Sequence, residues 1–130
     1  MPAARRILIA EDNIALALVV RLHLEHAGFH AVIARNGKEA WEHLQQAPFD
    51  LLVTDQQMPE LSGEEVCMRL RNEPRLADLP VIMLTAKGLE LEHAQLRMAL
   101  GVHEVVAKPF SPRELVEKVE QVLAAEPLGG

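Results

Sequence analysis

Short apolar segments alternate with longer amphipathic segments along the whole chain. Five of the apolar segments have the length and the branched side chains of β-strands, and they lie at positions 6–10, 30–34, 50–54, 80–84 and 104–107. The first, third and fourth are apolar with almost no alternation, which is typical of parallel strands covered on both faces. The pattern therefore predicts a parallel sheet buried between helices.

The segments between these strands carry the signals that start and stop helices. Three of them have a Ser or Asn followed three residues later by Glu, which is the spacing of a capping box: Asn36 with Glu39, Ser62 with Glu65, and Ser111 with Glu114. Pro112 opens the last predicted helix, which runs to position 126, and Gly28 and Gly101 stand where helices should stop. The predicted order, βαβαβαβαβα, implies right-handed crossovers and helices on both faces of one sheet.

The first predicted helix has apolar residues on more than one side. They form two stripes, of which the first holds Ile14, Leu18 and Leu22 and the second holds Leu16, Val20 and Leu24. The second stripe either packs on a neighbouring helix or provides a surface for a partner protein.

Length, charge and cysteine content narrow the class of protein. The 130 residues suit a single domain, with a core over about 5–125 and no output domain. With 13 basic against 19 acidic residues, the net charge of −6 predicts no direct binding of nucleic acid or of an anionic membrane. A lone cysteine, Cys67, and the lack of a long apolar segment predict a cytoplasmic protein without a signal peptide or a membrane span.

Polar residues suited to catalysis or metal binding follow the predicted strands. Ligands of a parallel α/β sheet bind beyond the carboxyl ends of the strands. Four strands end there in such a side chain: Glu11 and Asp12 after the first, Asp55 after the third, Thr85 after the fourth and Lys108 after the fifth. Three carboxylates packed together repel one another unless a cation joins them, and a hard ion such as Mg²⁺ prefers oxygen ligands. Together with the hydroxyl and the ammonium group, they would form a cradle for a phosphoryl group.

Four segments of the sequence, taken in chain order, resemble the receiver domain of two-component response regulators. They are ILIAEDN, LLVTDQQMPELSG, PVIMLTA and AKPF, and the likeness covers essentially the whole chain. The chain looks like a receiver of the chemotaxis-regulator type. The resemblance implies a flavodoxin-like (βα)5 fold, a doubly wound α/β sandwich whose five-stranded parallel sheet has the order 2-1-3-4-5. It also implies that Asp55 accepts a phosphoryl group from a histidine kinase or a histidine phosphotransfer protein and becomes an aspartyl phosphate.

The resemblance assigns roles to individual residues of this edge. Asp12 and Asp55 would bind Mg²⁺, or Mn²⁺ in its place, through their side chains. Glu11 would bind directly or through water, and Gln57 through its backbone carbonyl. Thr85 would donate a hydrogen bond to the phosphoryl group and shift toward it on activation.

Further positions would shape the site and its response. Lys108 would pair with the phosphoryl group, and its peptide bond to Pro109 is expected to be cis. Ala86 would leave room for the phosphoryl group to enter, while Gln57 and Lys87 occupy positions that tune access of the hydrolytic water. Val105 stands where many receivers carry a Tyr or Phe that rotates with the threonine, so either the output surface responds differently or another face signals.

Two other functions fit part of this pattern. A degenerate receiver would bind partner proteins without phosphorylation, and Val105 leaves that alternative open. A haloacid-dehalogenase-like phosphatase would need a second acid two residues after its nucleophile, where this chain has Gln57. The favoured interpretation is a signalling domain, not an enzyme, with only self-catalysed phosphorylation and autodephosphorylation. Its partners would be the phosphoryl donor, a downstream protein target or output domain, and in a homodimer a second copy of the chain.

Overall fold

A computed structural model of the chain describes residues 4–125. The strands are β1 (Arg6–Ala10), β2 (His30–Ala34), β3 (Leu51–Asp55), β4 (Val81–Thr85) and β5 (Glu104–Ala107). The helices are α1 (Ile14–His26), α2 (Gly37–Gln46), α3 (Gly63–Asn72), α4 (Glu90–Leu100) and α5 (Pro112–Ala125). All strand pairs are parallel and the sheet order is β2-β1-β3-β4-β5, which confirms the predicted flavodoxin-like fold.

Three strands have the predicted bounds, and two are shifted by one residue. β3 and β4 each begin and end one position later than their apolar segments, because Asp55 pairs with Leu84 and Thr85 pairs with Ala107. Strand pairing uses backbone groups only, so a polar side chain does not end it. Asp55 and Thr85 are therefore the last residues of rigid strands and not the first residues of loops.

The helix starts follow the three predicted caps, and at α5 the structure shows one half of the predicted box, in which Glu114 N–H donates to Ser111 Oγ at 3.0 Å. At α3 the capping box is complete, since Glu65 N–H donates to Ser62 Oγ (3.1 Å) and Ser62 N–H donates to Glu65 Oε1 (3.2 Å). At α2 the Asn36 side chain accepts from Glu39 N–H, but the Glu39 carboxylate accepts from the backbone of Arg35 instead of closing the box. Both arrangements satisfy N–H groups that the first helical turn leaves free.

The helix ends follow the predicted glycines. Gly101 ends α4 in the left-handed conformation with φ 66°, and Gly28 lies just beyond α1 with φ 98°. A residue with a Cβ rarely adopts these angles, which explains glycine at both positions. The predicted extension of the last helix to position 126, and the expected lack of an output domain after it, concern residues outside the described range.

The helices cover the two faces of the sheet as two layers. One apolar cluster contains residues of α2, α3 and α4, among them Ala40, Leu44, Val66, Leu70 and Leu96. The other contains residues of α1 and α5, among them Val20, Leu24, Leu115, Val119 and Leu123. Cys67 is fully buried in the first cluster. In the part of the chain that the structure describes, no helix has the length and apolar character to cross a membrane.

The two apolar stripes of α1 have different environments. Val20 and Leu24 of the second stripe are buried with α5, and Leu16 packs against the same cluster. This stripe therefore belongs to the core, which was one of its two predicted roles. The first stripe faces outward, since Ile14, Leu18 and Leu22 are 43%, 45% and 54% exposed. On α1, the first stripe and not the second is therefore available for contact with a partner protein.

Candidate functional site

The register of the sheet brings distant residues together at its carboxyl edge. Ala10 pairs with Thr54, so the residues that follow them, Glu11 and Asp55, lie side by side. The residue after β5, Lys108, reaches the same point across the end of β4. The order β2-β1-β3-β4-β5 places this point where the chain reverses its direction of winding, which is where doubly wound sheets bind ligands.

One lysine holds two buried carboxyl groups. Lys108 Nζ lies 2.9 Å from Glu11 Oε1 and 2.8 Å from Asp55 Oδ1, while Glu11 and Asp55 are 1% and 3% exposed. The contact with Glu11 is a directed hydrogen bond. Asp55 Oδ1 is close enough for an ion pair, but it is buried without any suitably directed hydrogen bond. This oxygen therefore has capacity left to bind a cation or an electrophile.

Three carboxyl groups at this edge fit a metal ion. Glu11, Asp12 and Asp55 each offer an oxygen, and these atoms lie within 4.8 Å of one another. Asp12 is exposed, while the other two are buried, so the cluster opens to solvent on one side. An all-oxygen, anionic set with an unsatisfied buried oxygen suits a hard divalent cation such as Mg²⁺. These residues could hold such an ion.

The surroundings of the two buried carboxyl groups shift their pKa values in opposite directions. Burial, followed by the hydrogen bond with Glu11, raises the pKa of Asp55 to about 8. Burial also acts to raise the pKa of Glu11, but hydrogen bonds with Asp55 and Lys108 outweigh it and lower that pKa. Burial acts to lower the pKa of Lys108, but its interactions with the two nearby carboxyls outweigh burial and raise it. Without a metal, the trio of Glu11, Asp55 and Lys108 therefore contains one anion, one cation and one protonated acid at neutral pH.

Thr85 is held by a residue that the sequence reasoning missed. Its hydroxyl donates to Gln56 Oε1 at 2.6 Å and accepts from Lys87 N–H at 3.0 Å. The Gln56 amide in turn donates to Glu64 Oε2 at 3.0 Å. Gln56 and Thr85 are only 5% and 2% exposed. The signal in the sequence was a second polar residue directly after the buried strand, whose side chain must point away from that of Asp55.

The remaining predicted site residues lie around the edge. Gln57, Ala86 and Lys87 are exposed, and the Lys108–Pro109 peptide bond is cis. Val105 is 5% exposed and packs in the apolar cluster with α3 and α4. The position that the resemblance associates with a mobile ring therefore holds a small, fixed core side chain.

Gly63 links the site to the helix that follows it. A Cβ atom on Gly63 would collide with the carbonyl oxygen of Asp55. Gly63 N–H donates to the carbonyl of Gln56 at 2.9 Å, which closes the loop between β3 and α3. Only glycine lets α3 begin so close to the end of β3.

A parallel sheet in this order, with three acids, a hydroxyl and a lysine at its carboxyl edge, defines a receiver-type signalling domain. Comparison with known proteins agrees, because the family profile described as "Response regulator receiver domain" matches residues 7–120. The chain belongs to the response regulator receiver domain family.

Individual relatives include both long and short response regulators. The chain is 42% identical over 118 residues to the phosphate regulon transcriptional regulatory protein PhoB of Rhizobium meliloti, covering 91% of this chain and 52% of that protein. It is 34% identical over 120 residues to the chemotaxis protein CheY1 of Helicobacter pylori strain 26695, covering 91% of this chain and 96% of the relative. The chain therefore spans about half the length of PhoB and nearly all of CheY1.

A solved structure shows the same architecture. The chemotaxis response regulator CheY4 of Vibrio cholerae superposes with a TM-score of 0.86 at 28% sequence identity, covering 92% of this chain and 98% of that one. The similarity extends over nearly the whole of both chains, so the five-strand, five-helix arrangement is that of CheY-like receivers.

Proposed function

We propose that the chain is a phosphoacceptor switch in which Asp55 takes a phosphoryl group in a reaction that depends on Mg²⁺. The observation that carries the proposal is Asp55 Oδ1, a buried oxygen with no directed hydrogen bond, set between an anion and a cation at the open edge of the sheet. Membership of the receiver family supports it.

The residues at the edge suit phosphoryl transfer chemically. An Asp55 oxygen attacks phosphorus of a phosphohistidine, the P–N bond breaks, and the imidazole leaves with its electron pair and takes up a proton. Glu11, Asp12, Asp55 and the backbone carbonyl of Gln57 would hold Mg²⁺, with Mn²⁺ as a substitute. The ion supplies positive charge that favours the carboxylate form of the acids and offsets charge on the phosphoryl oxygens.

Lys108 and Thr85 act on the product. The Lys108 ammonium lies 2.8 Å from Asp55 Oδ1, so it is placed to neutralise a phosphoryl group attached there. The Thr85 hydroxyl is the donor that we assign to a phosphoryl oxygen, after it leaves its present acceptor. Slow hydrolysis of the acyl phosphate by water would return the protein to its starting state, so no separate substrate is turned over.

The direct test is phosphoryl uptake from a small donor. Incubation with acetyl phosphate and Mg²⁺ should add one phosphoryl group to the intact mass, and the addition should disappear in Asp55→Asn or with EDTA. A lack of uptake from both acetyl phosphate and a cognate kinase would overturn the proposal and favour a receiver that binds partners without phosphorylation.

The donor protein is proposed to dock on the exposed stripe of α1. Ile14, Leu18 and Leu22 form an outward apolar surface that begins two residues after Asp12, so a phosphohistidine entering the site would bring its own protein onto it. Leu18→Asp should slow transfer from a histidine kinase or phosphotransfer protein while leaving uptake from acetyl phosphate unchanged. Met98→Asp, at an 88% exposed position of α4, is the matched control.

The named relatives point to more than one kind of downstream partner. Relatives of about twice this length are transcriptional regulators by name, whereas CheY1 is a chemotaxis protein of almost the same length. The phosphorylated domain would therefore act on an output domain, on a separate target protein, or through a second copy of itself. A cytoplasmic location stays a prediction from the lone cysteine.

A further inference from the structure

We propose that the Gln56 side chain is a latch that holds the Thr85 hydroxyl away from the phosphoryl site and thereby sets the resting state of the switch. The inference deepens the proposed function and rests on it. Gln56 is a positioning residue here, because it acts on the site only through Thr85.

The orientation of the Gln56 amide follows from its two partners. Glu64 Oε2 is a carboxylate oxygen that only accepts, so the Gln56 atom at 3.0 Å from it must be the NH₂ group. The amide oxygen then faces Thr85 at 2.6 Å, where it accepts the hydroxyl proton. Glu64 belongs to α3, and its carboxylate therefore determines that the oxygen end of the Gln56 amide faces Thr85.

A hydroxyl group has one proton, so Thr85 donates one hydrogen bond at a time. That proton is directed at Gln56 in the described structure, and the Thr85 oxygen also accepts from Lys87 N–H at 3.0 Å. A phosphoryl group on Asp55 would need the same proton. Activation therefore requires breaking the buried bond between Thr85 and Gln56, which is an energetic cost that favours the resting state.

The same chain of contacts continues to α4. The Lys87 carbonyl accepts from His93 Nε2 at 2.7 Å, and His93 is a buried residue of the first half of α4. The residue before α4, Leu89, offers no side-chain cap. When the Thr85 hydroxyl leaves Gln56, the backbone of Lys87 moves with it. The hydrogen bond from His93 to the Lys87 carbonyl then passes this movement to α4. This path couples the site to α4 without an aromatic ring at Val105.

The test measures how tightly the protein binds beryllofluoride at saturating Mg²⁺. Beryllofluoride mimics a phosphoryl group and attaches to a carboxylate. Gln56→Met removes the acceptor, and Gln56→Asn shortens the side chain by one methylene so that it no longer reaches Thr85. Both should bind beryllofluoride about fivefold more tightly, the factor expected for one neutral hydrogen bond. Gln45→Met makes the same chemical change on the exposed face of α2 and should leave the affinity unaltered.

A second readout separates positioning from general loosening. In a Thr85→Val background, the gain from Gln56→Met should vanish, because no hydroxyl remains to be released. In metal-free Gln56→Met, the NMR amide signals of Lys87 and His93 should move toward their beryllofluoride-bound positions. Equal affinity in wild type and both Gln56 variants, or a gain that persists with Thr85→Val, would overturn the latch. A wild-type protein that binds no beryllofluoride would instead overturn the phosphoacceptor proposal.

Discussion

Lys108 Nζ lies 2.9 Å from Glu11 Oε1, although 97 residues separate the two in the chain. The pair stands at the ends of β5 and β1, with Asp55 between them on β3. A single ammonium group therefore faces two buried carboxyls and can balance the charge of only one of them, which is the physical basis of the metal and phosphoryl chemistry proposed for the site.

This arrangement of charges predicts a pH-dependent stability. The pKa of Asp55 is raised to about 8, above the unfolded value of about 3.9. A carboxyl group whose pKa is higher in the folded than in the unfolded state makes its full contribution to stability below the pKa of the unfolded state. That contribution is lost as the pH rises through the pKa of the folded state. The metal-free wild type should therefore lose stability from pH 6 to 8, by about 2 kcal/mol relative to Asp55→Asn.

Urea denaturation of both proteins at pH 6, 7 and 8 measures this difference. The comparison of the two proteins cancels the contribution of every group that the substitution leaves unchanged. Mg²⁺ at millimolar concentration should reduce the difference by favouring the ionised wild-type site. Parallel stability curves in metal-free buffer would contradict the assignment of a raised pKa to Asp55.

Gly63→Ala should destabilise the protein and disturb the site, because the added Cβ meets the Asp55 carbonyl. We expect a loss of about 1–3 kcal/mol in the free energy of unfolding, as for overpacking elsewhere. Gly88→Ala is the matched control, since its Cβ would meet nothing within 4 Å. Thermal and urea unfolding should show a loss only at Gly63. A similar change in both variants would mean that the close approach of α3 to β3 is not a constraint.

Arg71 should be one of the strongest polar contributors to stability. Its guanidinium donates to four backbone carbonyls, those of Ala77 (2.8 Å), Leu79 (3.1 Å), Leu100 (3.2 Å) and Gly101 (2.8 Å).

Arg71→Met should cost about 2–4 kcal/mol in the free energy of unfolding, since several carbonyls lose a charged donor. Arg71→Lys should recover only part of this, because an ammonium cannot span the four acceptors as the planar fork does. Arg75→Met, at an exposed position, is the control and should unfold like the wild type. Equal unfolding of both Met variants would show that the carbonyls find other partners.

Glu60 adopts φ 70° in the loop between β3 and α3, a conformation that is unfavourable for a residue with a Cβ. Glu60→Gly and Glu60→Asn should each stabilise the protein by about 0.5–1 kcal/mol, after allowance for the greater freedom of an unfolded glycine. Glu60→Ala removes the same carboxylate but keeps the Cβ, so it should bring no such gain. Urea unfolding of the three variants decides whether relief of backbone strain, and not loss of charge, is the cause.

Trp41 should report unfolding but not metal binding. It packs on the α2–α4 side of the sheet, with the Arg69 guanidinium 5.8 Å from its ring centroid. The acidic cluster does not include any residue of α2. Fluorescence of Trp41 should therefore stay constant when Mg²⁺ is titrated and change sharply in urea. A large response to Mg²⁺ at constant pH would show that metal binding rearranges α2.

The local pattern of the sequence was enough to predict the elements and the edge on which the chemistry stands. Branched apolar segments, caps such as Ser62 with Glu65, and glycines at helix ends act over a few residues, so their effect can be predicted without knowing the fold. Parallel strands align their carboxyl ends, and for that reason Glu11, Asp55 and Lys108 could be placed together from the order of elements alone.

Tertiary structure determined the features that depend on strand register and on the direction in which a side chain points. Pairing with neighbouring strands carried β3 and β4 one residue further, to Asp55 and Thr85. Contact with α5 selected which stripe of α1 is buried and left Leu18 outside. The bond between Gln56, directly after β3, and Thr85, at the end of β4, joins residues that are 29 positions apart. Such contacts arise only when separate elements pack at fixed distances, and a one-dimensional pattern of apolar and polar residues does not contain those distances.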